Sequence, residues 1–272
     1  MTDSFIKADD LLFSLPHWES LLPGLKAGIT SKQSGFSKGA YQSLNMGLHV
    51  SDDKDDVLKN RQKTAERIGF PLHTWVCSEQ THGSNIQWVT ENHGGSGTLN
   101  YSDSIRDTDG LITNVPNLLL TMCYADCVPI YFLYPEGRLI GAAHAGWKGT
   151  VLNIAGKMIE EFKRAGADPA DIQVAIGPSI CRKCYQVDDR VIDKVEKLLE
   201  DCDEKPYNLK YEGQYELDLK KANELVLQNN GVPSENISIS QLCTVCEQEE
   251  FFSHRRDNGK TGRIMSFIGW KE

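Results

Sequence analysis

The stretch from residue 110 to residue 144 constrains this chain most. Four apolar, strand-like runs at 110–113, 118–124, 129–133 and 139–144 follow one another with short turns between them. A helix-period segment, 150–164, comes next, with Val151, Ala155, Met158, Ile159 and Phe162 on one stripe and Gly166 suited to its end. Strands that come in consecutive groups before a helix, not in strict alternation, predict an α+β fold of layered mixed β-sheets flanked by helices rather than a doubly wound parallel sheet.

The rest of the chain agrees. Strand-like runs fall at 74–79, 85–89, 172–176, 237–242 and 263–267. Helical spacing recurs at 54–68, with Val57, Ala65 and Ile68 inward and Ser51 or Asp52 as N-cap. It recurs at 188–200 through Val191, Val195, Leu198 and Leu199. It recurs again at 218–229 through Leu219, Ala222, Leu225 and Val226, before Gly231 and Pro233. There is no internal repeat or long linker, and the glycine-rich patch at 93–97 reads as a loop tip. One domain over residues 1–272 is the expectation.

Composition narrows the partners. Hydrophobic residues make up 40% and charged residues 25%, an ordinary globular balance. A net charge of −9 disfavours nucleic acid and anionic membranes as partners. The apolar stretches at 118–122 and 128–134 are too short to span a bilayer. The opening Met1-Thr2-Asp3-Ser4-Phe5-Ile6-Lys7 lacks the basic start and apolar block of a signal peptide, so a cytoplasmic protein is expected. Its eight cysteines are then reduced, and serve as core residues, ligands or nucleophiles.

Three segments concentrate reactive side chains: Gln80-Thr81-His82-Gly83, Ala125-Asp126-Cys127-Val128-Pro129-Ile130 and Ala143-His144-Ala145-Gly146-Trp147-Lys148-Gly149. Each puts an imidazole or a thiol at the end or turn of a predicted strand, beside small or turn-forming residues. Such donors suit Zn²⁺ or copper, and three of them leave a tetrahedral position open, the mark of a catalytic site. Spacing alone is also satisfied by a loop histidine, a small buried cysteine and a hydrogen-bonded core histidine. Two further pairs, Cys181-Arg182-Lys183-Cys184 and Cys243-Thr244-Val245-Cys246, have zinc-like internal spacing. The gap between them far exceeds the roughly 15–20 residues of a zinc ribbon, which argues against a second, closed site.

Taken together, these segments resemble the bacterial YlmD/YfiH-type family, labelled multicopper polyphenol oxidoreductase or laccase and related to the purine nucleoside phosphorylase of macrophages. The resemblance runs through Gly28-Ile29-Thr30-Ser31-Lys32, Ser43 to His49, Asn60-Arg61-Gln62 and Asp109 to Thr113. It continues through Ile176 to Ile180, Cys184 to Val187, Phe251 to Asp257 and Thr261-Gly262-Arg263. It implies a fold like that of cytotoxic necrotizing factor and the YfiH-like cysteine hydrolases. It also implies His82, Cys127 and His144 as catalytic metal ligands, with Zn²⁺ as cofactor and copper as an alternative. The implied activity is phosphorolysis of adenosine, inosine and methylthioadenosine to free base and ribose 1-phosphate, with adenosine deamination in the same site. Purine nucleosides and phosphate are the implied partners, and a monomer or small homo-oligomer the expected state. The chain departs from the family at Lys32, where an arginine is usual, because lysine supplies charge without a two-pronged fork. It departs again at Lys183-Cys184, where many members carry adjacent cysteines.

The chemistry asks for more groups. Phosphorolysis needs cationic donors near the sugar C1′. Lys148, Arg255, Arg256 and Arg263 are candidates for phosphate, and Asn45 for ribose or base. Deamination needs a proton carrier, for which Asp126 stands in position. A metal-independent cysteine hydrolase or amidase, with Cys127 as nucleophile and His144 or His82 as base, is the competing class. A copper polyphenol oxidase ranks last, since the chain has seven histidines and no His-x-His run.

Overall fold

A computed structural model describes residues 3–272. In chain order the strands are β1 (Ile6–Lys7), β2 (Leu12–Ser14), β3 (Leu25–Thr30), β4 (Trp75–Cys77), β5 (Ile86–Trp88), β6 (Gly110–Thr113), β7 (Leu119–Tyr124) and β8 (Val128–Tyr134). They continue with β9 (Leu139–Ala145), β10 (Gln173–Ile176), β11 (Gln186–Asp188), β12 (Tyr207–Tyr211), β13 (Gln214–Leu217), β14 (Ile237–Ile239) and β15 (Ile264–Trp270). The helices are α1 (Trp18–Leu21), α2 (Lys54–Ile68), α3 (Trp147–Val151), α4 (Ile154–Arg164), α5 (Asp189–Leu198) and α6 (Leu219–Asn229).

Two six-stranded mixed sheets form the centre, ordered β1-β2-β3-β15-β7-β4 and β14-β10-β8-β9-β6-β5. Their facing sides share one core that includes Ile29, Leu120, Met122 and Ile268 from the first sheet and Leu111, Tyr131, Leu133 and Ile140 from the second. The outer side of the second sheet packs Val128, Ile130, Phe132 and Val174 against α4, α5 and α6. The outer side of the first packs Trp75, Leu119 and Phe267 against Ala65 and Ile68 of α2. The result is four layers, helix on sheet on sheet on helix. Strands buried on both sides read as continuous apolar runs, which is why 118–124 and 129–133 stood out. Alternate residues of β8 go to different cores: Ile130 and Phe132 to the helices, Tyr131 and Leu133 to the other sheet.

The mixed α+β architecture is the one expected, and three details differ. The predicted helix 150–164 is two helices, because Asn153 takes a left-handed backbone (φ 63°) and caps α4 by accepting from the Gly156 amide at 3.2 Å. Helix α2 is capped by Asp53 rather than Ser51 or Asp52, its side chain accepting from the amides of Asp55 and Asp56. Gly69, at φ 83°, ends that helix. Strands β1, β2, β3 and a small sheet ordered β11-β13-β12 carry no strong periodic signal. The residues of β12 after Tyr207 are exposed, so burial never patterned them. Among the described residues no helix is long and apolar enough to cross a membrane.

Candidate metal centre and substrate cleft

Strand register brings the three predicted ligands together. In the β8–β9 hairpin Val128 pairs with Ala145 and Pro129 with His144, so Cys127, one residue before β8, lies beside the end of β9. In β6–β9 Gly110 pairs with Ala143, and the His144 amide donates to the Asp109 carbonyl at 2.8 Å. Parallel pairing of β5 with β6 carries the loop before β5, and His82 with it, to the same end. One donor atom from each of His82, Cys127 and His144 lies within 4.8 Å of the other two. The two imidazole rings meet edge to face, with centroids 4.8 Å apart.

Asp109 organises the group, and it was not among the side chains singled out from the sequence. Its carboxylate accepts from the amides of Thr81, His82 and Gly83 at 3.1, 3.2 and 2.7 Å. It also lies 2.7 Å from His144 Nδ1. One carboxylate thus shapes the His82 loop and orients the His144 ring, leaving Nε2 of His144 free for the centre. The only available signal was a carboxylate immediately before a buried strand. His82 itself sits at φ 61°, a conformation the three amide bonds hold in place. Gln80 anchors the same loop: its amide donates to the Cys123 carbonyl and accepts from the Cys123 amide, both at 2.8 Å. Gly146 is required by space, because a Cβ there would lie 2.8 Å from Cys127 Sγ and 3.2 Å from His82 Cδ2.

The electrostatics favour a thiolate. Burial alone would push the Cys127 thiol up, but the neighbouring His144 and His82 imidazoles outweigh it and bring the thiol down to about 6. Burial likewise opposes a charged His144, and the Cys127 sulfur and Asp109 carboxylate reverse that, raising the imidazole to about 9. Two imidazoles, a thiolate and a carboxylate behind one imidazole form a donor set that fits zinc or copper.

The centre opens into a cleft of about 470 Å³. Tyr101, Trp147 and Tyr185 give it aromatic walls, and Lys148, Arg255 and Arg263 line it with cations. Arg255 stacks its guanidinium 5.0 Å from the Tyr185 ring centroid and donates to the Gln186 carbonyl at 3.1 Å. Arg263 is half-buried and donates to the carbonyls of Thr261 and Gly262 at 2.9 Å each.

Three candidates are placed otherwise than their proposed roles require. Arg256 lies outside the cleft, where its guanidinium binds the Asp257 carboxylate and the carbonyls of Thr244 and Phe251. Asn45 is fully buried and absent from the cleft wall. Its side-chain oxygen accepts from the amides of Gly47 and Arg263, and its nitrogen donates to Asp52. Asn45 therefore fixes the backbone of Arg263 rather than meeting a ligand. Asp126 is at the cleft, but its oxygens accept from the Thr244 hydroxyl at 2.6 Å and the Arg255 amide at 2.7 Å, which suits an anchor of the turn better than a proton carrier. The Asn60-Arg61 pair is also structural: Asn60 donates to the Asn45 carbonyl and Arg61 to the carbonyls of Met46, Gly97 and Thr98.

The chain is similar to known proteins over almost its whole length. The family model described as multi-copper polyphenol oxidoreductase laccase matches residues 26–271. The chain is 50% identical over 250 residues to purine nucleoside phosphorylase YlmD of Geobacillus stearothermophilus, covering 92% of this chain and 91% of that one. It is 48% identical over 247 residues to purine nucleoside phosphorylase YlmD of Bacillus subtilis, covering 90% and 88%. The crystal structure of YlmD from Geobacillus stearothermophilus superposes with a TM-score of 0.97 at 47% identity, covering all of both chains. Near-complete coverage at this identity, with the fold shared throughout, makes the chain a member of the multi-copper polyphenol oxidoreductase laccase family, the group that contains the YlmD proteins.

Proposed function

We propose that the chain is a single catalytic unit that phosphorolyses purine nucleosides in this cleft, taking adenosine, inosine and methylthioadenosine to free base and ribose 1-phosphate, and that it deaminates adenosine at the same centre. Relatives named purine nucleoside phosphorylase support an enzyme acting on nucleoside and phosphate. The observation that carries the finer statement is the meeting of the His82, Cys127 and His144 donors within 4.8 Å at a cleft bordered by aromatic rings and cations.

Each part of the cleft suits one part of that substrate pair. A purine has a flat π-face, which the rings of Tyr101, Trp147 and Tyr185 can cover. Phosphate carries two negative charges for which Arg263, Arg255 and Lys148 are the available partners. Held beside C1′, a phosphate oxygen forms the new C–O bond as the glycosidic C–N bond breaks. The electron pair leaves with the base, which then gains a proton. Zinc is the metal we assign to the three ligands, where it would supply Lewis acidity. Free cysteines throughout the described residues are consistent with a cytoplasmic setting. Incubating the zinc-loaded protein with adenosine and phosphate should give adenine and ribose 1-phosphate, and without phosphate it should give inosine. No base release under saturating phosphate would refute the assignment.

A second activity has its own support. Cys127, His144 and Asp109 form a thiol, an imidazole and an orienting carboxylate, the arrangement of a cysteine hydrolase, with a thiol already lowered to about 6. Turnover of an amide substrate that survives chelation, with covalent labelling of Cys127, would favour that activity over phosphorolysis.

A further inference from the structure

We propose that Cys181, Cys184, Cys243 and Cys246 form a second metal centre, a closed tetrathiolate site for a structural zinc ion. The fold closes the long sequence gap that argued against it. Ser179 and Cys243 bridge as parallel strands do, and the Thr244 amide donates to the Ser179 carbonyl at 3.2 Å. The two Cys-x-x-Cys turns therefore lie side by side, and all four sulfurs fall within 4.8 Å of one another. Four sulfurs on a tetrahedral zinc, at a Zn–S distance of about 2.3 Å, stand about 3.8 Å apart. The Cys184 and Cys246 sulfurs are already at 3.6 Å.

The surroundings are those of an anionic cluster. The Cys181 amide donates to Cys243 Sγ at 3.3 Å, a bond that strengthens when the sulfur is a thiolate. Lys220 is buried, and its ammonium donates to the carbonyls of Ser240 and Leu242, the residues that lead into Cys243. The Cys243 and Cys181 sulfurs, with the Asp218 and Asp3 carboxylates, are the anionic groups that act on this ammonium. Four thiolates around a divalent ion leave two negative charges, which would balance this buried ammonium together with Arg182 and Lys183 in the first turn. With four protein ligands no position stays open, so the role is structural.

The clamp bears on the cleft. Ile180 and Tyr185 flank the first cysteine pair and line the cleft, and the Ile180 amide donates to the Asp126 carbonyl at 3.0 Å. Thr244, inside the second pair, holds the Asp126 carboxylate. Zinc here would tie both loops to the turn that carries Cys127.

The test measures metal, not turnover. Wild-type protein, Cys127→Ala and the double variant Cys184→Ser/Cys246→Ser are purified under reducing conditions with zinc, dialysed and analysed by elemental mass spectrometry. Cys127→Ala is also loaded with cobalt and its absorption recorded. We expect Cys127→Ala to keep one zinc per chain and its cobalt form to carry the intense near-ultraviolet charge-transfer bands of four thiolates. The double variant should hold one zinc fewer than wild type. If Cys127→Ala binds no zinc, or its cobalt spectrum lacks thiolate bands, or the four cysteines form disulfides, the proposal is overturned. The cobalt spectrum is read on an intact clamp, so it decides the question even where the double variant does not fold. None of these results depends on nucleoside chemistry.

Discussion

The Asp109 carboxylate lies 2.7 Å from Nδ1 of His144 while it also accepts the backbone amides of Thr81, His82 and Gly83. A single side chain one residue before β6 thus sets the geometry of both histidines that face Cys127.

Replacing that carboxylate should separate binding from folding. Asp109→Asn keeps the shape and removes the charge that orients and enriches the His144 ring, so zinc affinity should fall about 10–100-fold, as measured by chelator competition. Asp109→Ala leaves three amides without their acceptor, at a cost of about 1–3 kcal/mol for each one that water cannot reach, so thermal unfolding should shift down further. Equal zinc affinity in wild type and Asp109→Asn would remove Asp109 from its organising role.

The same residue predicts acid sensitivity of the metal-free protein. Burial works against an ionised Asp109, but His144 and the loop amides prevail and hold its carboxyl below the usual range. A carboxylate whose pKa is lowered on folding contributes stability above its unfolded pKa, and that contribution is lost as pH falls through the lowered folded value. The unfolding temperature of chelated wild type should therefore drop on acidification below the ordinary aspartate range, more steeply than that of Asp109→Asn. Parallel acid limbs for the two proteins would contradict this.

Cys127 should announce its neighbours through its reactivity. In the chelated protein its alkylation rate should rise with a midpoint near pH 6, because the imidazoles lower the thiol that far, whereas an unperturbed cysteine titrates at about 8.5. Zinc should protect it. A midpoint near that of a free cysteine would show that His144 and His82 do not act on the sulfur.

Gly146 offers a steric test. Its backbone, at φ −67° and ψ 173°, is one alanine adopts without strain, so the effect of Gly146→Ala comes from the Cβ placed 2.8 Å from Cys127 Sγ. The variant should fold with an unfolding temperature close to that of wild-type apoprotein and bind zinc at least about tenfold more weakly, a loss of about 1.4 kcal/mol. Unchanged zinc binding would mean that the sulfur does not need that space.

The cations should divide by position. Arg263→Met should raise the KM for phosphate by about 10–100-fold, in line with a charge-assisted bond of roughly 1.5–3 kcal/mol, with less effect on KM for nucleoside. Arg256→Met should leave the phosphate KM unchanged and lower stability, because it removes bonds to Asp257, Thr244 and Phe251. The reverse pattern would exchange their roles.

Much of this was legible in the residues. Runs buried on both sides, such as β7 and β8, announce themselves by continuous apolar character, and capped helices such as α2 by their period. The gap at Asn153 was hidden because the apolar stripe continues across it. Strand β12 was hidden because pairing, not burial, holds it. At the site, the motif around His82, Cys127 and His144 marked side chains that register then brought together. Asp109 was missed because its work is done through hydrogen bonds to backbone amides, which leave no side-chain pattern. Arg256 and Asn45 were drawn toward the cleft by their chemistry, although local carbonyls and amides already claim them. The cysteine pairs were judged by distance along the chain, which the parallel bridge between Ser179 and Cys243 makes irrelevant.

The most direct measurement follows base release from adenosine by wild type and Cys127→Ala, each with its zinc content determined, with and without phosphate. Wild type should carry zinc in the His82, Cys127 and His144 centre and release adenine only when phosphate is present. Cys127→Ala should lose that zinc and the activity together. Full phosphorolysis by Cys127→Ala, or by protein stripped of that metal, would contradict the account.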